Sequence, residues 1–112
     1  MSRLPALILV ALLSACTSTE FNPTPGAPQY PPHRGEVTVL NKLPQSGNYD
    51  SLGVVVAYGP DLSDKNDLIE ALQKEAAKRG ANAIALQGEI KTRYQRQGNQ
   101  QVLAAFALRL KP

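Results

Sequence analysis

The 112-residue sequence is poor in the side chains that build reactive centres, with one cysteine, Cys16, and one histidine, His33. A lone cysteine has no partner for a disulfide within the chain, so packing must stabilise the folded part. Without further thiols or imidazoles there is no set of soft ligands for a metal. The formal net charge of +3 is also too small to predict nucleic-acid binding.

The sequence also lacks a catalytic pattern and a membrane-spanning run. Residues 4–13 are mostly apolar, but they are shorter than the roughly 20 residues that a spanning helix needs. Asp61, Asp64 and Asp67 lack the glycine and glutamate of a calcium loop, and helix capping explains them better. Three glutamates are scattered without a histidine or serine to activate: Glu36, Glu70 and Glu89. We therefore expect no enzyme activity, no metal and no bound cofactor.

The amino-terminal segment has the parts of a secretory signal. Arg3 precedes the apolar run, and the small residues Ser14 and Ala15 follow it. The sequence Leu13-Ser14-Ala15-Cys16 resembles the lipobox of bacterial lipoproteins. That resemblance implies cleavage after Ala15, a diacylglyceryl group on the Cys16 sulfur and an N-acyl group such as palmitate. The alternative is an ordinary secreted protein with a free cysteine near its mature end.

The lipobox resemblance also implies a location. Two or three acyl chains on Cys16 anchor a protein stably, whereas one chain binds only marginally. Thr17 replaces the aspartate that favours the inner membrane in enteric-type lipoproteins, which implies the periplasmic face of the outer membrane. The expected organisation is a signal peptide over 1–15, a lipid-anchored proline-rich linker over 16–35 and a small periplasmic domain over 36–112.

Residues 17–34 have the composition of a tether. Proline fixes φ and removes an amide donor, so neither helix nor sheet is expected here. At about 3.1 Å per residue the segment would reach up to roughly 56 Å. Tyr30-Pro31-Pro32 is the one hint of a docking motif, and His33 is expected to be solvated. The prolines are Pro23, Pro25, Pro28, Pro31 and Pro32.

The remaining sequence predicts a small α+β domain with element order β-β-α-β-β-β, a mixed sheet and one helix packed on one face. Residues 37–40 form a short edge strand, and 52–58 form a strand with apolar residues on both faces, typical of a strand covered on both sides. Residues 64–79 form the helix, which Ser63 or Asp64 caps. Residues 82–87 form a strand parallel to the one before the helix.

The last part of the sequence predicts a long hairpin from strands at 89–95 and 102–110. A symmetric turn would pair Tyr94 with Val102 and Ile90 with Phe106, with the apolar residues on one face. A basic stripe lies on the other face and, with one arginine of the next strand, could contact anionic lipid or an acidic partner. The alternative is a solvated face that protects a sheet edge. The stripe and its helper are Lys91, Arg93, Arg96 and Arg109.

Two further segments carry a second resemblance. Tyr49-Asp50-Ser51-Leu52-Gly53-Val54 and, after the helix, Gly80-Ala81-Asn82-Ala83-Ile84 resemble small bacterial lipoproteins of unknown function. They are also similar to the carboxy-terminal domain of the Rcs envelope-stress sensor lipoprotein and to small pentameric domains assigned to heavy-metal binding. Neither disulfide sensing nor metal binding transfers, because this domain has no cysteine and lacks soft ligands.

These patterns predict an envelope lipoprotein whose domain is a structural or protein-interaction module with an envelope protein as partner. The first alternative is an envelope-stress sensor or an accessory subunit of an envelope complex. An enzyme of another kind is the remote alternative.

Overall fold

The computed structural model describes residues 17–60, 63–96 and 98–112. Its elements are the strands β1 (Ser18–Pro23), β2 (Thr38–Leu40) and β3 (Tyr49–Pro60), the helix α1 (Lys65–Lys78), and the strands β4 (Ala83–Leu86), β5 (Lys91–Arg93) and β6 (Gln100–Leu110). The strands form one mixed sheet, and α1 packs on one face of it. The predicted α+β class is confirmed, with β1 as an additional strand.

The sheet has the order β1-β3-β6-β4-β2, and β5 also pairs with β6. The longest pairing joins β3 and β6, from Tyr49 opposite Leu110 to Pro60 opposite Gln100. Strands β3 and β4 are both antiparallel to β6, so they point in the same direction, as the strand–helix–strand pattern predicts. They are not neighbours, however, because β6 lies between them. Strand β2 is at an edge, as expected, and pairs in parallel with β4.

Helix α1 begins and ends where its capping residues predict. The Asp64 carboxylate accepts a hydrogen bond from the Asn66 amide at 3.2 Å, and Gly80 follows the last turn with a φ of +88°. The buried residues of the helix are Leu68, Leu72 and Ala76. They pack on alternate residues of the two central strands: Val55, Ala57, Leu103, Ala105 and Ala107.

The segment expected to be a tether instead starts with a strand of the sheet. Strand β1 pairs antiparallel with β3, from Ser18 opposite Tyr58 to Pro23 opposite Gly53. The expectation of no sheet structure after Thr17 is therefore wrong for these residues. The first proline of the segment is the last residue of β1, so every preceding residue keeps its amide donor.

The rest of that segment crosses the end of the domain as a strap, residues 24–33. The Thr24 amide donates to the Leu52 carbonyl at 3.0 Å, and the His33 amide donates to the Ala77 carbonyl at 2.8 Å. The Tyr30 hydroxyl donates to the Asp50 carboxylate at 2.5 Å, and this hydrogen bond raises the pKa of the Tyr30 phenol. His33 is partly buried, so the expectation that it is solvated is wrong.

The hairpin forms, but its predicted register is wrong. Strand β5 pairs Lys91 with Val102 and Arg93 with Gln100, which differs by three residues from the symmetric alignment. An odd shift reverses the faces of a strand, so Lys91 lies on the same face as Val102 and not on the opposite one. Tyr94 lies beyond the end of β5 and is 80 % exposed.

A β-bulge at residue 52 explains a requirement for glycine next to it. Ser51 and Gly53 pair with consecutive residues of β6, so Leu52 is the extra residue and turns into the core. Gly53 has a φ of +156°, and a Cβ there would collide with the Asn22 carbonyl of β1. The bulge therefore allows β1 to approach β3 only if residue 53 has no side chain.

We expect Gly53→Ala to destabilise the domain by about 3 kcal/mol, since steric overlap adds to backbone strain. Gly47→Ala is the matched control, because Gly47 also has a positive φ but has open space around it. It should cost about 1 kcal/mol. Urea denaturation measures both, and equal midpoints would show that the contact with β1 does not constrain residue 53.

A second prediction concerns the strap. Tyr30→Phe removes the hydrogen bond to Asp50, so we expect a lower urea midpoint and faster hydrogen exchange of the His33 amide. Because folding raises the Tyr30 pKa, this stabilisation is complete at neutral pH and is lost as the pH rises through that raised pKa.

Tyr58→Phe is the control for the strap variant, since the Tyr58 hydroxyl makes only an exposed contact of 3.4 Å with Glu20. It should leave both measurements unchanged. Identical behaviour of the two phenylalanine variants would exclude a role for the Tyr30 hydroxyl in holding the strap.

Candidate interaction surface

The structure brings together three of the four basic residues that the sequence indicates as a surface. Lys91 and Arg93 are on β5, Arg96 is in the following turn, and all three are exposed. Within the described residues none of the three forms an ion pair. This basic patch lies at the end of the sheet where β3 ends and β6 begins.

The fourth residue, Arg109, is elsewhere, and its grouping with the basic patch is wrong. It lies opposite Asp50, nine residues along β6 from Gln100, or about 30 Å at ~3.3 Å per residue. Its guanidinium is 5.3 Å from the centre of the Tyr30 ring and donates to the Gly80 carbonyl at 3.3 Å. Arg109 therefore holds the strap against the domain, and it does not belong to the same surface as the basic residues of β5.

The strap also borders a cavity of about 680 Å³. Phe21 and Leu52 contribute apolar surface to it, and Lys78 and Arg79 line it from the end of α1. Both cations contact the Glu75 carboxylate, at 3.9 and 3.1 Å, which offsets their charge. The Arg79 guanidinium also lies 4.8 Å from the centre of the Phe21 ring. This cavity therefore presents little uncompensated charge to a ligand.

The larger candidate surface is the face of the sheet opposite α1. Strand pairing places Val54 opposite Phe106, Val56 opposite Ala104 and Tyr58 opposite Val102 on this face. All six residues are partly buried, and the one helix of the described chain packs on the other face. We call these residues the helix-free face. Both faces of β3 are expected to be covered, and among the described residues no helix lies on this one.

The helix-free face has a charged residue at each side. Glu20 on β1 pairs with Val56, and Lys91 on β5 pairs with Val102. An apolar centre with charged margins is the usual composition of a protein-binding patch. In the sequence this face is indicated by apolar residues at alternate positions of each strand, at 54, 56 and 58 and at 102, 104 and 106. Alternation alone does not predict which face the helix covers.

Chemical groups for catalysis or metal binding are sparse in the described part of the chain. Residues 17–60, 63–96 and 98–112 contain no group of three histidine, cysteine, aspartate or glutamate side chains arranged to hold a metal ion. In the same residues no helix is long and apolar enough to cross a membrane. The predicted cleavage and lipidation residues, Ala15 and Cys16, lie outside the described residues.

Comparisons with known proteins support the fold. No protein-family model and no curated protein matches the chain. Among solved structures, the chain is similar to the crystal structure of the Francisella virulence factor FvfA, with a TM-score of 0.58 and 20% sequence identity. The match covers 81% of this chain and 97% of FvfA. At this identity the likeness is one of architecture.

Proposed function

We propose that the protein is a lipid-anchored lipoprotein of the cell envelope whose domain is a protein-interaction module on the periplasmic face of the outer membrane. The observation that carries this proposal is Leu13-Ser14-Ala15-Cys16 at the end of a short apolar run behind Arg3. Acyl chains on Cys16 would hold the mature protein at the bilayer, because each buried CH₂ contributes about 0.8 kcal/mol.

The geometry of the domain supports the second half of the proposal. The helix-free face is a partly buried apolar sheet surface on the side away from α1, and Phe106 in it packs against the buried residues Ala83, Ala85 and Leu108. Contiguous apolar surface with polar margins is typical of protein contacts. Two sheets, or a sheet and a helix, can pack on such a face at about 10 Å. A partner protein of the envelope with an apolar strand or helix surface would fit it.

The first test replaces the anchor residue. We expect Cys16→Ala to abolish labelling with palmitate and to move the protein from the membrane to the soluble fraction, with the domain still folded. The domain should fold because the first described strand begins at Ser18 and the core cluster is built from residues that follow it, from Phe21 to Ala107. Thr17→Ala serves as the control and should remain lipidated.

Membrane fractionation, palmitate labelling and circular dichroism together decide the anchor claim. A Cys16→Ala protein that still takes up palmitate and still sediments with membranes would contradict it.

The second test maps the interaction surface. A photo-crosslinking amino acid at Val56 or Phe106 should give a discrete adduct with one envelope protein in living cells, because both side chains lie on the helix-free face. The same amino acid at Glu70 or Lys74, exposed on α1, is the control and should give none. Absence of an adduct from the face, or the same adducts from both sides, would contradict the module.

A further inference from the structure

The amino-terminal end of β1 and the basic patch lie at the same end of the sheet. The pairing registers form one row across four strands, from Ser18 to Tyr58, Val102 and Lys91. Three strand spacings of about 4.8 Å separate the first and last members by roughly 14 Å. The hairpin tip, residues 91–96, extends past this row, because Arg93 pairs with Gln100, the first residue of β6.

This placement orients the domain if Cys16 carries the lipid, so the inference rests on the proposed function. Only Thr17 lies between Cys16 and Ser18, and two residues of extended chain span about 7 Å. The anchor therefore has no long spacer, and this end of the sheet must lie close to the bilayer surface. The opposite end, with the strap and Arg109, points away from the membrane.

The hairpin tip has the chemistry of a contact with anionic headgroups. Lys91, Arg93 and Arg96 are exposed and form no ion pair within the described residues, and Tyr94 among them is 80 % exposed. Cationic side chains are drawn to anionic lipid, and tyrosine is enriched at the headgroup level of membranes.

Nearby carboxylates have contacts of their own. Glu89 lies 3.5 Å from the Lys65 ammonium, and Asp64 caps α1 on the side of the sheet where the helix packs. Glu20, two residues along β1 from Ser18, accepts a hydrogen bond from the Tyr58 hydroxyl at 3.4 Å. The positive charge of the hairpin tip is therefore not offset by a paired carboxylate of the described chain.

We propose that the hairpin tip is a second membrane contact, in which Lys91, Arg93 and Arg96 bind anionic phospholipid headgroups and Tyr94 enters the headgroup layer. Three cations bind a membrane weakly by themselves, but the lipid on Cys16 keeps them at a high effective concentration near the surface. Two contacts about 14 Å apart stop the domain from swinging on its anchor. The strands then run away from the membrane surface, and the helix-free face is accessible to a partner beside the domain.

The test uses the complete lipidated protein with Tyr94→Trp. The sequence has no tryptophan, so this substitution supplies the one fluorescent reporter of its kind. In vesicles of phosphatidylcholine with phosphatidylglycerol we expect blue-shifted emission and quenching by brominated acyl chains. Both effects should disappear in pure phosphatidylcholine and weaken as salt shortens the Debye length.

Two triple variants in the Tyr94→Trp background separate a specific contact from net charge. Lys91→Glu, Arg93→Glu and Arg96→Glu together should abolish the quenching. The matched control has the same change of charge at the far end of the domain. It replaces the residue that follows the strap, one in the last helical turn and one that follows β6: Arg34→Glu, Lys78→Glu and Lys111→Glu. It should remain quenched.

Flotation with the vesicles distinguishes this inference from the proposal on which it depends. Protein that does not float overturns the anchor and the orientation together. Protein that floats but shows no quenching, or equal quenching in the two triple variants, overturns the headgroup contact and leaves the anchor standing.

Discussion

The antiparallel pairing of β3 with β6 is the interaction on which the rest of the structure depends. It extends from Tyr49 opposite Leu110 to Pro60 opposite Gln100, and every other strand except β2 attaches to one of these two. Their alternate residues also form most of the surface on which α1 packs. Because this pair is central, a change in its register would move α1, β1 and the β5–β6 hairpin together.

The helix covers only one side of that pair, and this asymmetry creates the surfaces of interest. On the covered side the small residues Ala105 and Ala107 allow the helix to lie close to the sheet, so Leu68 and Leu72 are completely buried. On the other side Val54, Val56 and Phe106 are only partly buried. The domain thus has an apolar face on which no described helix packs, together with a hairpin tip that carries charge without an ion pair in the described chain.

The far end of the domain is organised by residues whose local sequence predicts a different role. The sequence predicts Tyr30 and His33 in a solvated tether and Arg109 in a basic surface. Instead the Tyr30 ring lies under the Arg109 guanidinium, and its hydroxyl donates a hydrogen bond to Asp50. The Tyr30 Cβ and carbonyl oxygen lie where a side chain at Gly80 would be. These contacts join positions far apart in the chain, and no local pattern indicates them.

The sequence by itself determined what depends on neighbouring residues. The limits of the helix followed from the Asp64 cap, the apolar spacing of Leu68 and Leu72 and the positive φ that Gly80 allows. Tertiary structure decided which strands pair and in what register. It made Ser18–Pro23 a strand through pairing with β3, and it shifted Lys91 to a place opposite Val102. The physical reason is range, because caps and periodicity act within a few residues, whereas strand partners are selected by burial against distant segments of the chain.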